Sequence, residues 1–187
     1  MKYNSYWYNR FQGSLFLLAF LTFGIGDGLS SLWMVGQQGI MKESNPILMY
    51  ILLNYGESNY LEIKIWSAII ILFMIFWIQT DSKKPVYWTV NGCLIAFIVS
   101  GTLAILLNIR AGRNEPLFFS AEQTIFLFMF LVLMLTSIGE EIDKRTNPRI
   151  KSYAGCLLND LVIIYVFISK MFKNKTGKPL FWPAQKG

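Results

Sequence analysis

Long apolar runs separated by short polar breaks are the main pattern along this chain. Several runs approach the roughly 20 residues that a helix needs to cross about 30 Å of hydrocarbon. The pattern predicts an all-α polytopic bundle with four clear membrane-spanning helices and a fifth, weaker one that carries Asn159, Asp160 and Lys170. The predicted spans cover about residues 14–35, 59–79, 86–108, 117–138 and 155–172.

A shorter apolar segment, "SNPILMYILLNYG", precedes the second predicted span. Ser44 or Asn45 can cap a helix there, Pro46 suits the first helical position, and Gly56 can end the helix. The segment is too short to cross a bilayer. We therefore expect it to form a re-entrant or interfacial helix.

The spans follow one another closely, which indicates a single membrane domain. We expect an interfacial N-terminus over residues 1–13, a transmembrane helical domain over 14–172 and a basic, aromatic tail over 173–187. The first span is too long and too polar for a signal peptide, and no cleavage site follows it. The stretch "GEEIDKRTNPRIKSY" is predicted to be the one clear solvated loop.

Composition supports an integral, multi-pass protein of the cell membrane. The chain is 54% hydrophobic and only 15% charged, whereas a soluble domain carries about 25% charged residues. The net charge is +6, and basic residues concentrate in the tail "KMFKNKTGKPLFWPAQKG". Lysines beside Phe and Trp at a membrane favour contact with anionic lipid headgroups, so we expect no nucleic-acid partner.

The residue inventory excludes several kinds of chemistry. The chain has no His, which removes imidazole bases and the usual zinc, copper and haem sites. Cys93 and Cys156 both lie in apolar surroundings without CxxC spacing, which favours inert buried thiols. Walker and dinucleotide-binding patterns are also missing. We assign no catalytic residue, no metal ligand and no cofactor.

Polar residues gather at one end of the predicted bundle. Because successive helices alternate in direction, one leaflet holds the end of the first span, the short helix, the start of the second span, the end of the third and the start of the fourth. The candidate ligand or ion-pair cluster at this end comprises Asp27, Ser30, Ser31, Glu43, Asn45, Lys64, Asn108 and Glu122.

Asp27 is the least expected member, because an ionised carboxylate inside a membrane helix is costly. Ser30 and Ser31 follow it at helical spacing and share its face. Gly24 and Gly28 form a small-xxx-small pattern that lets another helix approach closely. A rise of about 1.5 Å per residue brings Lys64 to a similar depth, so we predict a direct or water-bridged ion pair between Asp27 and Lys64.

Two interpretations of this cluster stay open. It can be a structural clasp, with the charges paired, Asn45 as a helix cap and Glu122 in a first turn favoured by the helix dipole. Alternatively, the same groups can line a pocket open to one side, because polar groups inside membrane spans often mark ion or substrate paths.

The ordered set of residues resembles an uncharacterised domain-of-unknown-function family of small archaeal and bacterial multi-pass membrane proteins. An Asp followed by Ser or Thr ends the first helix, E-x-N-P opens a short helix, and a Lys and an Asn follow. The usual Thr pair is a Ser pair here, and the resemblance covers roughly residues 11–110. It implies a helical membrane fold and no established activity. The matching residues are Asp27, Ser30, Ser31, Glu43, Asn45, Pro46, Lys64 and Asn108.

Three functions from different classes fit these observations. The sequence favours a non-catalytic accessory or structural subunit, associated with other membrane subunits or with further copies of itself. The alternative is a small-solute or ion transporter that uses Asp27, Glu43, Lys64 and Glu122. An intramembrane enzyme with paired carboxylates is the weakest of the three, because no motif with catalytic spacing occurs.

Charge counts leave the orientation of the chain open. With five spans, each side of the membrane carries eight Lys or Arg residues, and the positive-inside rule gives no answer. If the fifth segment does not cross, the counts become thirteen and three. That case favours an N-terminus on the inner side.

Overall fold

The regular structure in the described part of the chain is entirely helical. A computed structural model describes residues 5–146, and no strand occurs among them. In chain order the elements are α1 (Ser5–Ala19), a π-helical segment (Phe20–Gly26), α2 (Asp27–Gln38), a 3-10 turn (Ile40–Lys42), α3 (Pro46–Asp81), α4 (Tyr87–Gly112) and α5 (Ala121–Thr146).

The prediction of an all-helical fold with four long apolar helices is confirmed. Within residues 5–146, four helices are long and apolar enough to cross a membrane, and the first runs continuously from α1 through the π-helical segment into α2. The predicted fifth span and the basic tail lie outside the described residues. The four helices are Trp7–Gln38, Pro46–Asp81, Tyr87–Gly112 and Ala121–Thr146.

Helix α3 combines the predicted short helix and the second predicted span. Asn45 caps its start, where its side-chain oxygen accepts hydrogen bonds from the backbone N–H groups of Ile47 and Leu48 at 3.0 and 3.4 Å. At Gly56 φ is 82° and ψ is 178°, a conformation that glycine adopts without the steric cost of a side chain. Gly56 therefore kinks the helix, which resumes directly after it.

The predicted solvated loop is wrong over its first half. The residues "GEEIDKRT" continue α5 to Thr146, and Lys144–Glu140 and Arg145–Glu141 ion pairs of 2.9 Å each join successive turns. Such pairs support an exposed helical turn. Falling hydropathy marked the end of the apolar surface and not the end of the helix. The same holds at the N-terminus, where α1 begins at Ser5 inside the expected interfacial segment.

Helix α4 is the central element of the bundle, and glycines bring its neighbours close. On one face, Gly92 lies against the carbonyl of Leu135 in α5, and Gly139 of α5 lies against the carbonyl of Trp88. Neither position has room for a Cβ atom. The backbones of α4 and α5 are therefore in direct contact at two points.

The other face of α4 packs on the π-helical segment. A Cβ atom on Gly101 would lie 2.6 Å from the backbone nitrogen of Phe23. The rings of Phe23 and Phe97 meet edge to face at 4.8 Å between centroids, and Phe128 of α5 completes a group of three rings. The buried core around these rings comprises Leu15, Ala19, Leu72, Val90, Leu94 and Phe97.

Helices α1 and α2 run parallel to α4, and their ends are aligned. The Tyr87 hydroxyl donates to the Tyr8 carbonyl at 2.8 Å near one end, and the Gln38 amide donates to the Gly112 carbonyl at 3.0 Å near the other. Helix α3 runs in the opposite direction. The bundle therefore has two well-defined ends, and the residues of the predicted polar cluster lie towards the end that carries Gln38 and Gly112.

Candidate functional site: an interhelical polar cluster

A change in helix type immediately precedes Asp27. The π-helical segment ends at Gly26, and the Asp27 N–H points back to the carbonyls of Gly24 and Thr22. A π-helical stretch carries one extra residue per turn and is frequent at functional sites. The α-helix then restarts at Asp27, which puts Ser30 and Ser31 on the same side of α2 as the carboxylate.

Asp27 and Lys64 form the ion pair that the depth comparison predicts. Lys64 Nζ lies 2.8 Å from Asp27 Oδ2, and the two side chains are 13% and 22% exposed respectively. The same ammonium group donates to Ser31 Oγ at 2.8 Å. Lys64 also sits 5.4 Å from the centre of the Tyr60 ring, within the range of a cation–π interaction.

The amide of Asn108 joins α4 to this pair. Its Nδ2 atom lies 3.0 Å from Asp27 Oδ1, 3.1 Å from Ser30 Oγ and 3.0 Å from Ser31 Oγ. The five residues Asp27, Ser30, Ser31, Lys64 and Asn108 are called the Asp27 cluster below. Three helices, α2, α3 and α4, meet in it.

The two small residues beside Asp27 make this meeting possible. A Cβ atom on Gly24 would lie 3.0 Å from the Cβ atom of Ala68, and one on Gly28 would lie 2.8 Å from Leu61 Cδ1. Both neighbours belong to α3, the helix that carries Lys64. The close approach predicted from the Gly24–Gly28 spacing is therefore present, and it brings α3 near enough for its lysine to reach the carboxylate.

Glu43 and Asn45 form a second layer above the Asp27 cluster. The hydroxyl of Tyr60, which is completely buried, donates to Glu43 Oε2 at 2.5 Å. The other oxygen of Glu43 accepts the backbone N–H of Asn45 at 3.0 Å. The E-x-N-P turn is thus tied to α3 through Tyr60. The sequence analysis missed Tyr60, although its position one turn before Lys64 places both on one face.

Glu122 is not among the residues that the structure brings together. It is exposed in the first turn of α5, where its carboxylate accepts the Ser120 hydroxyl at 2.7 Å. Ser120 and Gln123 bond reciprocally around this turn, side chain to backbone N–H in both directions, as in a capping box. The surroundings of Glu122 therefore match a helix start and not the Asp27 cluster.

Asp143 is a second residue that the sequence analysis missed. It is 1% exposed and accepts hydrogen bonds from the backbone N–H groups of Trp88 and Thr89, both at 2.9 Å, and from the Thr89 hydroxyl at 2.8 Å. It thereby caps α4 from α5. The available signal was the start of α4 at "KKPVYW", which has no capping residue of its own.

An open groove of about 420 Å³ borders the Asp27 cluster on the side of Ser30. Its walls come from α2 and from the end of α4. Among residues 5–146, no three His, Cys, Asp or Glu side chains are grouped so that they could hold a metal ion. The groove is lined by Gly26, Leu29, Ser30, Trp33, Ile109 and Arg113.

Fold and site together indicate a polytopic helical membrane protein with a partly buried ion pair between three helices. The chain belongs to the family described as a domain of unknown function, DUF5658, which matches residues 18–112, about half of its length. All five residues of the Asp27 cluster fall within this range, as do Glu43 and Asn45, whereas Glu122 lies beyond it. No curated protein and no solved structure matches the chain.

Proposed function

We propose that this protein is a non-catalytic structural or accessory component of a membrane complex, in which the Asp27 cluster fastens α2, α3 and α4 together. One observation carries the proposal: the charged and polar side chains of the cluster are bonded to each other. Asp27 is paired with Lys64, and Asn108 with both serines completes the network. A solute that bound there would first have to break these bonds.

Energetic reasoning supports a structural role for this network. Two separate charges in a low-dielectric interior are strongly unfavourable, whereas a hydrogen-bonded pair offsets much of that cost. Removing one partner of such a pair typically costs about 3–5 kcal/mol. The cluster therefore favours one arrangement of the three helices over alternatives that would separate the charges.

The accessory role is tested by the mass of the assembly. The full chain is purified in a mild detergent, and the protein mass of the complex is measured by light scattering on a size-exclusion column. We expect a mass well above the 21.6 kDa of one chain, from further copies or a companion subunit. A monomer with no co-purifying protein, found also in lipid nanodiscs, would contradict this role.

Transport of a small solute or ion is the second candidate. It is favoured by the residual exposure of Asp27 and Lys64, 22% and 13%, and by the groove that opens beside Ser30. Within the described residues, such a site would use Asp27, Glu43 and Lys64, without Glu122. If wild-type protein in proteoliposomes transports a solute or ion, the Asp27→Asn variant should lose that transport. An unchanged transport rate in the variant would exclude this site.

Finer features of the topology belong to the same proposal. We propose that residues 46–55 form an interfacial or re-entrant helix, that a fifth span follows α5, and that the basic tail contacts anionic headgroups of the cell membrane. We also propose that the Asp, Ser, E-x-N-P, Lys and Asn pattern is a family feature of bacterial and archaeal members. Reporter fusions after residues 146 and 175 test the fifth span, because a crossing puts the two reporters on opposite sides.

A further inference from the structure

A second set of polar side chains lies at the other end of the bundle, where α1 and α4 begin and α3 ends. It comprises Asn9 and Gln12 on α1, Gln79 on α3 and Asn91 on α4, and is called the amide cluster below. Gln12 is fully buried, Asn91 is 1% exposed and Asn9 is 8% exposed. Gln79 donates from its amide to Gln12 Oε1 at 2.9 Å, which joins α3 to α1.

From the register of the helices we infer that Asn91 lies near this pair. Facing residues on the first membrane helix and on α4 differ by 78 or 79 positions at three heights: Tyr8 with Tyr87, Phe23 with Gly101 and Ser30 with Asn108. The same offset aligns Gln12 with Asn91. Both side chains are buried, and the register puts them at the same height in the bundle.

Five polar atoms of the amide cluster lack a hydrogen bond of normal distance and angle, although the Tyr87 hydroxyl lies close to the Asn91 side chain. They are three acceptors, Asn9 Oδ1, Gln79 Oε1 and Asn91 Oδ1, and two donors, Gln12 Nε2 and Asn91 Nδ2. Buried polar groups almost always find a partner, because an unpaired one costs roughly 1–3 kcal/mol. Several such atoms at the same end of the bundle point to a further molecule between these side chains.

The mixture of donors and acceptors identifies the chemistry of that molecule. A cation would satisfy only the oxygens, and an anion only the N–H groups. Exchanging the O and N atoms of Asn91 still leaves one donor and one acceptor on that residue. Exchanging them in Gln12 and Gln79 together still leaves one donor and one acceptor on the pair. The argument therefore does not depend on the assigned amide orientations. Water donates and accepts two hydrogen bonds each, and bound waters in proteins typically make about three.

We propose that the amide cluster is an internal hydration site, in which bound water bridges Gln12, Gln79 and Asn91 and reaches Asn9. This site lies outside the Asp27 cluster and does not depend on the proposed accessory role. Neutral amides bind water without an associated charge. The site therefore joins α1, α3 and α4 through water, as the Asp27 cluster joins α2, α3 and α4 through an ion pair.

Hydroxyl-radical labelling of the full chain in nanodiscs tests the proposal on the wild type. Short X-ray pulses in ¹⁸O-labelled water oxidise side chains that lie beside bound water. Tyr87 is the reporter, because it is only 2% exposed and lies one turn from Asn91. Phe97, which is 7% exposed in the apolar core, is the matched control. After correction of each rate for the intrinsic reactivity of its ring, we expect Tyr87 to label faster than Phe97, since water beside it supplies the radical. Equal corrected rates would overturn the proposal.

A pair of variants gives an independent result. Asn91→Leu displaces the water and leaves Gln12 unpaired, so we expect the Tm to fall by about 2–4 °C. Ser100→Ala is the control, since Ser100 Oγ is also buried and unpaired but lies outside the cluster, and its loss should not lower the Tm. A higher Tm for Asn91→Leu would mean that Asn91 has no partner to lose, and it would overturn the proposal.

Discussion

Asp27 and Lys64 are carried by helices that run in opposite directions, and their charged atoms meet 2.8 Å apart. Each charge offsets the cost of burying the other. Lys64 also donates to the Ser31 hydroxyl, and Asn108 donates to Asp27 and Ser31. The stabilisation from such a pair becomes measurable when one member is removed, because the other then remains charged, largely buried and unpaired.

A double-mutant cycle at this pair is the first prediction. We expect Asp27→Asn to lower the free energy of unfolding by about 3–5 kcal/mol, because Lys64 is left unpaired. Adding Lys64→Met should restore part of that loss, giving a coupling energy of about 1–3 kcal/mol between the two sites. Denaturant unfolding of each variant in detergent micelles measures both quantities.

The exposed pair of Glu140 and Lys144 is the control for this cycle. Its atoms are 2.9 Å apart, close to the 2.8 Å between Lys64 and Asp27. The side chains are, however, 62% and 64% exposed, and surface pairs contribute little. The changes Glu140→Gln and Lys144→Met should therefore couple much more weakly. Single-site losses at Asp27 and Lys64 that simply add would contradict the buried pair.

Sequence reasoning reached Asp27 and Lys64 but not Tyr60 or Asp143, and the reason is physical. Helical rise gives the depth of a residue from its position along a span, so charges of opposite sign at one depth can be matched. The partners of Asp143 are backbone N–H groups about 55 positions away, at a depth that hydropathy assigned to a loop. The start of α4 without a capping residue shows that a cap is needed, but not which residue supplies it.

At the scale of elements, the position of Glu122 shows what depth alone cannot predict. The sequence gives the depth of a residue along a span but not the side from which its helix approaches the bundle. Gly92 and Asn108 are 16 positions apart on α4, which corresponds to about 160° around a helix at 100° per residue. The side of Gly92 contacts α5, and the side of Asn108 contacts α2. Helix α5 therefore approaches α4 from the face opposite the Asp27 cluster, even though Glu122 starts at the same end of the bundle.

The contact between α4 and α5 supplies the second prediction. In Gly92→Ala the added Cβ meets the backbone carbonyl of Leu135, which cannot rotate away, so the helices must part. We expect a loss of about 1–3 kcal/mol in the free energy of unfolding, the usual cost of overpacking. Thermal unfolding in detergent, followed by circular dichroism, measures it.

Gly36→Ala is the matched control, because Gly36 is exposed in α2 and nothing lies within 4 Å of the added atom. Alanine favours a helix by about 0.8–1.0 kcal/mol over glycine, so this variant should be slightly more stable. If both glycine variants gain stability alike, the close packing at Gly92 is contradicted.

At the scale of the whole molecule, two polar sites occupy opposite ends of the bundle. The Asp27 cluster is charged and the amide cluster is neutral, and between them lies an apolar layer that contains Ala19, Leu94 and the rings of Phe23 and Phe97. The lengths of the apolar runs predicted the number of spans within residues 5–146. The sequence pattern did not reveal the π-helical segment or the continuation of α3 past Gly56. Both are changes in backbone conformation, and neither alters the run of apolar side chains.

The two ends of the bundle also differ in surface charge, which leads to the third prediction. Within residues 5–146, five basic residues flank the end that carries the start of α1, and three flank the other end, apart from the buried Lys64. An excess of Lys and Arg favours the cytoplasmic side. We therefore expect the α3–α4 loop, with Lys83, to lie inside the cell and the end of α2, with Gln37, to lie outside.

Single cysteines report this orientation directly. In a background with Cys93 and Cys156 replaced by Ala, a membrane-impermeant maleimide added to intact cells should label Gln37→Cys and leave Lys83→Cys unmodified. Both positions are exposed, so permeabilised cells should show labelling of both, which serves as the control. Labelling of Lys83→Cys in intact cells, with Gln37→Cys protected, would show the opposite orientation. In that case residues outside the described bundle would set the orientation.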